Sequence, residues 1–263
     1  MSSQGSRSTE DSLGPTRTEE TFQLRNAVAG QGLLIGIDGP SGSGKSTVSK
    51  RVAAELGLAF LETGAMYRAL TWKCMAAGVD LDNPSAVLRE ADHLDFESVG
   101  TVAHPKFLVG GRDVTDTLRS VEVAARVSVV AGYIPVRQWM AIAQREEMYK
   151  ARADGRGMIA EGRDVTTVVC PDADVRILLL ADPEARLRRR VLETYGHVTD
   201  DLLEQTRELV SGRDKTDSKV SSFLEAAPGV ITIDSSSKSV DEVVEDVLFQ
   251  VSVWIQDRVH GRA

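Results

Sequence analysis

The nine residues GPSGSGKST, at 39–47, constrain this chain more than any other stretch in it. They fit the pattern GxxxxGK(S/T), with Gly39, Gly44, Lys45 and Ser46 at its fixed positions. Before them runs LLIGID, an apolar segment of strand character, and after them STVSKRVAAELG, which reads as a helix ending near Gly57. Strand, loop and helix in that order are the context in which such a loop holds phosphates. Glycines let successive N–H groups turn inward around an oxyanion, and the helix N-terminus adds partial positive charge. Gly39, Pro40, Ser41, Gly42, Ser43, Gly44, Lys45, Ser46 and Thr47 are therefore expected to wrap a nucleotide's phosphates. Lys45 is expected to reach the β and γ phosphates, and Ser46 a Mg2+ ion. A flexible Gly/Ser turn is the bland alternative, and the flanking strand and helix count against it.

Bulk properties narrow the remaining classes. With 263 residues the chain can build one substantial core plus an inserted subdomain, or two small domains. A formal net charge of −8 argues against general nucleic-acid binding, which needs a line of backbone phosphates neutralised. Anionic ligands must then be held by local cationic clusters. Cys74 and Cys170 are isolated and the four histidines scattered, so neither a disulfide framework nor a zinc spacing is present. No apolar run is long enough to cross a bilayer, and residues 1–32 lack the hydrophobic segment of a secretory signal. A cytoplasmic protein with no membrane partner is expected. Residues 1–32 are rich in Ser, Thr, Gly and charge, which predicts a flexible extension; a short helix around TEETFQLRNAVA is the alternative.

From Leu33 onward strand and helix patterns alternate. LLIGID, LAFLE, GMIAE, VRILLLA and VITID are short apolar runs of the kind found in a parallel sheet covered on both faces. Val240, Val243, Val244, Val247, Leu248, Val251, Trp254 and Ile255 recur at three- and four-residue steps and predict a last, amphipathic helix. Another helix starts at Asp182, with Pro183 in its first position and Glu184 in its first turn. The expected fold is α/β, an open parallel sheet with helices on both faces. Between about 78 and 118 the rhythm breaks: NPSAVLREADH reads as a short helix, and HLDFESV, KFLVGG and RDVTDTL as short strands around a Gly-Gly turn. This predicts a small α+β insert between a helix following the second strand and the next long helix.

Three further segments bear on what receives the phosphate. FLETGAMYRAL (60–70) lies just past the second strand, where an open parallel sheet presents its ligand crevice, and Arg68 there offers a planar fork suited to phosphate. MIAEGRDVTT delivers Glu161, Arg163 and Asp164 to the same sheet edge as the loop; the carboxylate can order magnesium-bound water and Arg163 can clamp a second phosphate. DPEARLRRRVLETY places Arg186, Arg189 and Arg190 on one helix face and Leu187 and Val191 on another. Solvated arginines, or a capped turn with a surface ion pair, would explain each segment taken singly.

Taken together, IDGPSGSGKSTVSK, LETGAMYRA, VGGRDVTDTLRS, EGRDVTTVV, PDADVRILLLA and GRDKTDS resemble, in order, the motifs of the bacterial cytidylate kinase family, a branch of the P-loop nucleoside monophosphate kinases. The resemblance runs from about Leu33 to the C-terminus. It implies transfer of the γ-phosphate of ATP to CMP or dCMP, with Mg2+, an insert on the CMP side, and a mobile lid over about 183–217. It further implies that Thr63, Arg68 and Arg163 hold the acceptor phosphate and that Asp164, Ser128 and Arg137 contact the base. Arg213 and Asp217 fall near ribose and phosphate, and Arg186 and Arg190 lie in the lid. Lys45, Arg163, Arg186 and Arg190 are the implied catalytic groups, Ser46 and Glu161 the metal ligands, and a monomer is expected. Two departures stand out. Thr166 occupies a position that is commonly glycine in the family, and after Asp217 the chain reads DSKVSSFLEAA, which puts Lys219 in place of an arginine and Phe223 in place of a proline. The rival readings are a P-loop kinase with UMP, AMP or a non-nucleotide alcohol as acceptor, or a nucleotide switch. The switch needs a guanine-reading N/T-K-x-D segment, and RDKTD, the comparable string, stands in the wrong context.

Overall fold

The computed structural model describes residues 17–207 and 223–261. Helix α1 (Arg17–Val28) leads into strand β1 (Leu34–Asp38), followed by α2 (Lys45–Leu56), β2 (Ala59–Glu62) and α3 (Thr63–Ala76). Next come α4 (Pro84–Ala91), then β3 (Phe96–Gly100), β4 (Pro105–Val109) and β5 (Arg112–Asp113). Helices α5 (Val121–Ala131) and α6 (Ile134–Ala153) precede β6 (Met158–Gly162), a single π-helical turn (Val165–Val169), β7 (Val175–Leu180) and α7 (Pro183–Tyr195). Helix α8 runs from 200 to the edge of the described residues at 207. The chain closes with β8 (Ile231–Asp234) and α9 (Val240–Val259).

The main sheet has the order β2-β6-β1-β7-β8, all parallel. Apart from Asp38, Glu161 and Arg176, its central strands carry no polar side chains, because each face meets helices. Leu34 of β1 and Met158 and Ala160 of β6 enter a cluster with residues of α3, α4 and α6, while Ile35, Ile37 and Ile159 enter the opposite cluster with α2 and α9. That period-two split across two buried faces explains why these strands show no polar alternation. The expected open α/β sheet is the fold observed.

Local chemistry sets the helix ends. Asn83 caps α4 by accepting from the Ala86 N–H, and Asp182 caps α7 by accepting from Glu184 and Ala185. Ser239 and Glu242 form a capping box at the start of α9. A second sheet, β3-β4-β5, is antiparallel, and Gly110 and Gly111, at φ 56° and 73°, make the tight turn between β4 and β5. Phe107, Val109, Val114 and Leu118 of this region pack on Ala65 and Ala69 of α3.

Three expectations need correction. Residues 17–28, inside the stretch expected to be a flexible extension, form α1, the helix given as the alternative, with Val28 buried and Leu24 packed against the α2–α9 side of the core. Two apolar residues spaced four apart, Leu24 and Val28, dock one helix face despite the polar composition. The long helix expected after the insert is two, α5 and α6, with Tyr133 extended between them and Pro135 in the first turn of α6, where a missing N–H costs nothing. RDVTDTL supplies only a two-residue strand, because the Asp113 carboxylate accepts from both the backbone N–H and the hydroxyl of Thr115 and turns the chain.

Candidate active site

Parallel register brings the site together. Asp38 pairs with Gly162 and Glu62 with Glu161, so the loop after β1, the turn after β6 and the first residue of α3 share one sheet edge.

The donor side is the loop 39–47. Gly39, at φ 150°, passes so near β7 that a Cβ there would sit 2.1 Å from the Leu179 carbonyl oxygen. Gly44, at φ 95°, turns the chain into α2 with no side-chain cap, which leaves the first N–H groups of that helix directed at the loop's hollow. Lys45 Nζ donates to the Pro40 carbonyl at 2.9 Å, folding the ammonium back across the loop. Ser46 Oγ donates to Glu161 Oε1 at 2.8 Å, and Thr47 is exposed. One hydroxyl and one carboxylate converge there, and no cluster of three or more metal-ligating side chains exists among the described residues. That donor set suits Mg2+, which keeps several waters and takes phosphate oxygens in place of an all-protein cage.

The acceptor side is built around β6. Thr63 Oγ1 donates to the Glu161 carbonyl at 2.8 Å, and a Cβ at Gly162 would meet that hydroxyl at 2.5 Å, so α3 and the turn after β6 are in direct contact. Arg68 pairs with Glu62 at 2.9 Å. Arg163 Nη1 donates to the Gly39 carbonyl at 2.6 Å, reaching from the acceptor side to the start of the donor loop. Asp164 and Arg137 form an ion pair with both side chains 12% exposed. Arg137 also donates to the Ala131 carbonyl at 3.1 Å and lies over the Tyr67 ring. Ser128 is half-buried on α5, one turn before that carbonyl. Arg213, Asp217 and Lys219 lie outside the described residues.

Of the α7 arginines, Arg186 donates to the Ser41 carbonyl at 3.2 Å, whereas Arg190 pairs with Glu193 at 2.8 Å on the exposed side. Of the three arginines that helical spacing puts on one face, Arg189 is the one that accompanies Arg186 toward the loop. Its Nη1 donates to Ser235 Oγ at 2.9 Å, and Ser235 Oγ donates in turn to the Ser43 carbonyl at 3.0 Å. Ser235, two percent exposed just beyond β8, carried no sequence signal because its role depends on strand order.

Asp38 was also missed. Its carboxylate, buried at the end of β1, accepts from the Val165 N–H at 2.8 Å, the Thr166 N–H at 2.7 Å and the Thr166 hydroxyl at 2.6 Å. Burial pushes its pKa up to about 6, outweighing the three donors, and the Asp164 carboxylate acts in the same direction. Thr166, the departure from glycine, thus supplies a donor to the carboxylate that ties β1 to the Arg163–Asp164 turn.

Residues 35–253 match the family model described as cytidylate kinase. The cytidylate kinase of Cutibacterium acnes is 41% identical over 225 residues, covering 85% of this chain and 98% of that protein. The cytidylate kinase of Geobacillus kaustophilus is 41% identical over 217 residues, covering 82% and 95%, and that of Streptomyces griseus is 41% identical over 217 residues, covering 82% and 91%.

Proposed function

This chain belongs to the cytidylate kinase family and is an ATP-dependent kinase of CMP and dCMP, and from that premise we infer how its residues divide the work. The donor loop, Gly39 to Thr47, holds the ATP phosphates, with Lys45 swinging from the Pro40 carbonyl onto the β and γ phosphates. Thr63, Arg68 and Arg163 hold the acceptor phosphate. For Arg213 and Asp217, which lie outside the described residues, the proposed role is contact with the ribose and phosphate of the acceptor. A phosphate oxygen of CMP attacks the γ-phosphorus in line, the bond to the bridging oxygen breaks, and CDP and ADP leave with no covalent enzyme intermediate. A nucleotide phosphate is already a competent nucleophile, so the protein's contribution is positioning and charge.

Ser46 and Glu161 would hold Mg2+, which neutralises charge on the β and γ phosphates when bound. Arg163 offsets charge on the transferred group, and Arg186 does so from α7. In place of Arg190, Arg189 is the better-placed partner in holding the loop. Closure of the segment about 183–217 over ATP excludes water, which would otherwise compete as acceptor. Asp164, held by Arg137, accepts from the exocyclic amine of cytosine and disfavours the carbonyl of uracil, and Ser128 supplies a further base contact. The insert at about 78–118 forms the CMP side of the cleft.

The observation that carries this assignment is the Arg163–Gly39 hydrogen bond, because one arginine spans both anion sites. The enzyme is further proposed to be a cytoplasmic monomer acting on free nucleotides. No helix among the described residues is long and apolar enough to cross a membrane, and the net charge of −8 disfavours nucleic acid. An ADP-release assay across CMP, dCMP, UMP and AMP tests the acceptor. Turnover highest with CMP or dCMP supports the assignment; turnover highest with AMP or UMP overturns it.

A further inference from the structure

We propose that Phe223 is a positioning residue for Arg163, fixing the plane of its guanidinium for phosphate transfer; this rests on the reading of Arg163 as the clamp between the two substrates. The Phe223 ring is fully buried, yet among the described residues it joins none of the four apolar clusters. What it does meet is a cation: the Arg163 guanidinium carbon stands 4.5 Å from the ring centroid. A flat cation over an aromatic face is held by the ring's quadrupole, more strongly where water is excluded. The Gly39 carbonyl, at 2.6 Å from Nη1, fixes one corner of the fork, and the ring fixes its plane. Together they constrain the orientation of the guanidinium before a phosphate arrives. Rotamer freedom that a long arginine would otherwise lose in the transition state is already gone.

The segment that carries the ring is itself tied to the same turn. Arg176 donates to the Pro228 carbonyl at 3.2 Å and to the Thr166 carbonyl at 3.4 Å, so residues 223–228 are tied to the 163–166 turn directly at Phe223 and through Arg176 at Pro228.

The test is a double-mutant cycle with Phe223→Leu, Arg163→Ala and the pair, reading kcat and both KM values with ATP and CMP. Phe223→Leu should lower kcat about tenfold, equivalent to about 1.4 kcal/mol, with each KM within about threefold. In the Arg163→Ala background the same substitution should have no further effect, because the group it acts through is gone. Multiplicative losses in the double variant, or a Phe223→Leu kcat within about twofold of wild type, overturn the proposal. An Arg163→Ala enzyme with undiminished kcat would instead refute the clamp reading itself, a distinguishable result. Phe223→Met serves as a second apolar replacement. If both variants lose cooperative thermal unfolding, the ring is a packing element and the proposal fails.

Discussion

Glu161→Gln separates the structural role of this carboxylate from its chemical one. Glu161 is 6% exposed, its Oε1 accepts the Ser46 hydroxyl at 2.8 Å, and its backbone carbonyl accepts the Thr63 hydroxyl at 2.8 Å. Glutamine keeps the volume, the Oε1 acceptor and the carbonyl, removes the charge, and exchanges the Oε2 acceptor for an amide donor. A hydrogen bond to an ionised acceptor contributes about 1.5–3 kcal/mol and a neutral one about 0.5–1.5, so the folding cost should be about 1 kcal/mol. In a chain of this size that is a fall of about 2–4 °C in Tm. Catalysis should suffer far more. Removing one preorganised charge-stabilising group typically costs about 10²–10³ in kcat, or about 2.7–4 kcal/mol. Coupled ADP release, titrated with Mg2+ at saturating ATP and CMP, should show that loss together with a higher Mg2+ requirement. A variant that keeps kcat within about threefold and the same Mg2+ dependence would refute the placement of the metal between Ser46 and Glu161.

Other substitutions probe the remaining parts. The folded pKa of Asp38, about 6, lies above its ordinary 3.8, so this group favours folding most below about pH 4 and that share is lost as pH rises to about 6. Thr166→Val removes a donor to the ionised form; it should cost about 1.5–3 kcal/mol in urea denaturation at pH 8 and progressively less below pH 6, and a pH-independent cost would contradict the assignment. Asp164→Ala should lower kcat/KM for CMP by about ten- to a hundredfold more than for UMP, each amine contact contributing about 1–3 kcal/mol; equal losses would remove Asp164 from base selection. Val28→Ala, on the buried face of α1, should cost about 2 kcal/mol of stability while leaving kcat unchanged, since about 0.8 kcal/mol is lost per buried methylene plus a cavity contribution. A cost under about 0.3 kcal/mol would mean α1 is not docked in solution.

Elements whose signals are local were legible before the fold was known. The loop at 39–47 has a spacing that few other structures require, and the five apolar runs became the five strands of the main sheet. The Asp182–Pro183 start of α7 was legible because an N-cap is decided by the adjacent residues. What escaped depends on contacts between distant segments. Asp38 matters because Val165 and Thr166 fold onto it from 127 and 128 residues away. Arg189 faces the loop, and Arg190 does not, because Ser235 arrives beside it from the far end of the chain. Periodicity places residues on a helix face but cannot say which of two neighbouring arginines finds a partner. The helix α1 stood only as the alternative to a flexible extension, because its composition resembles a linker and its docking rests on Leu24 and Val28.

The most direct measurement is a crystal structure of the protein with adenosine and cytidine joined 5′ to 5′ through a five-phosphate chain, which occupies both sites at once. The phosphates should lie in the hollow of 39–47 with Arg163 bridging to the cytidine side, Arg68 on the cytidine-proximal phosphate and Asp164 on the cytosine amine. A complex in which Arg163 and Arg68 turn away from the phosphates, or in which the cytidine lies outside the Thr63–Arg68–Asp164 edge, would contradict it.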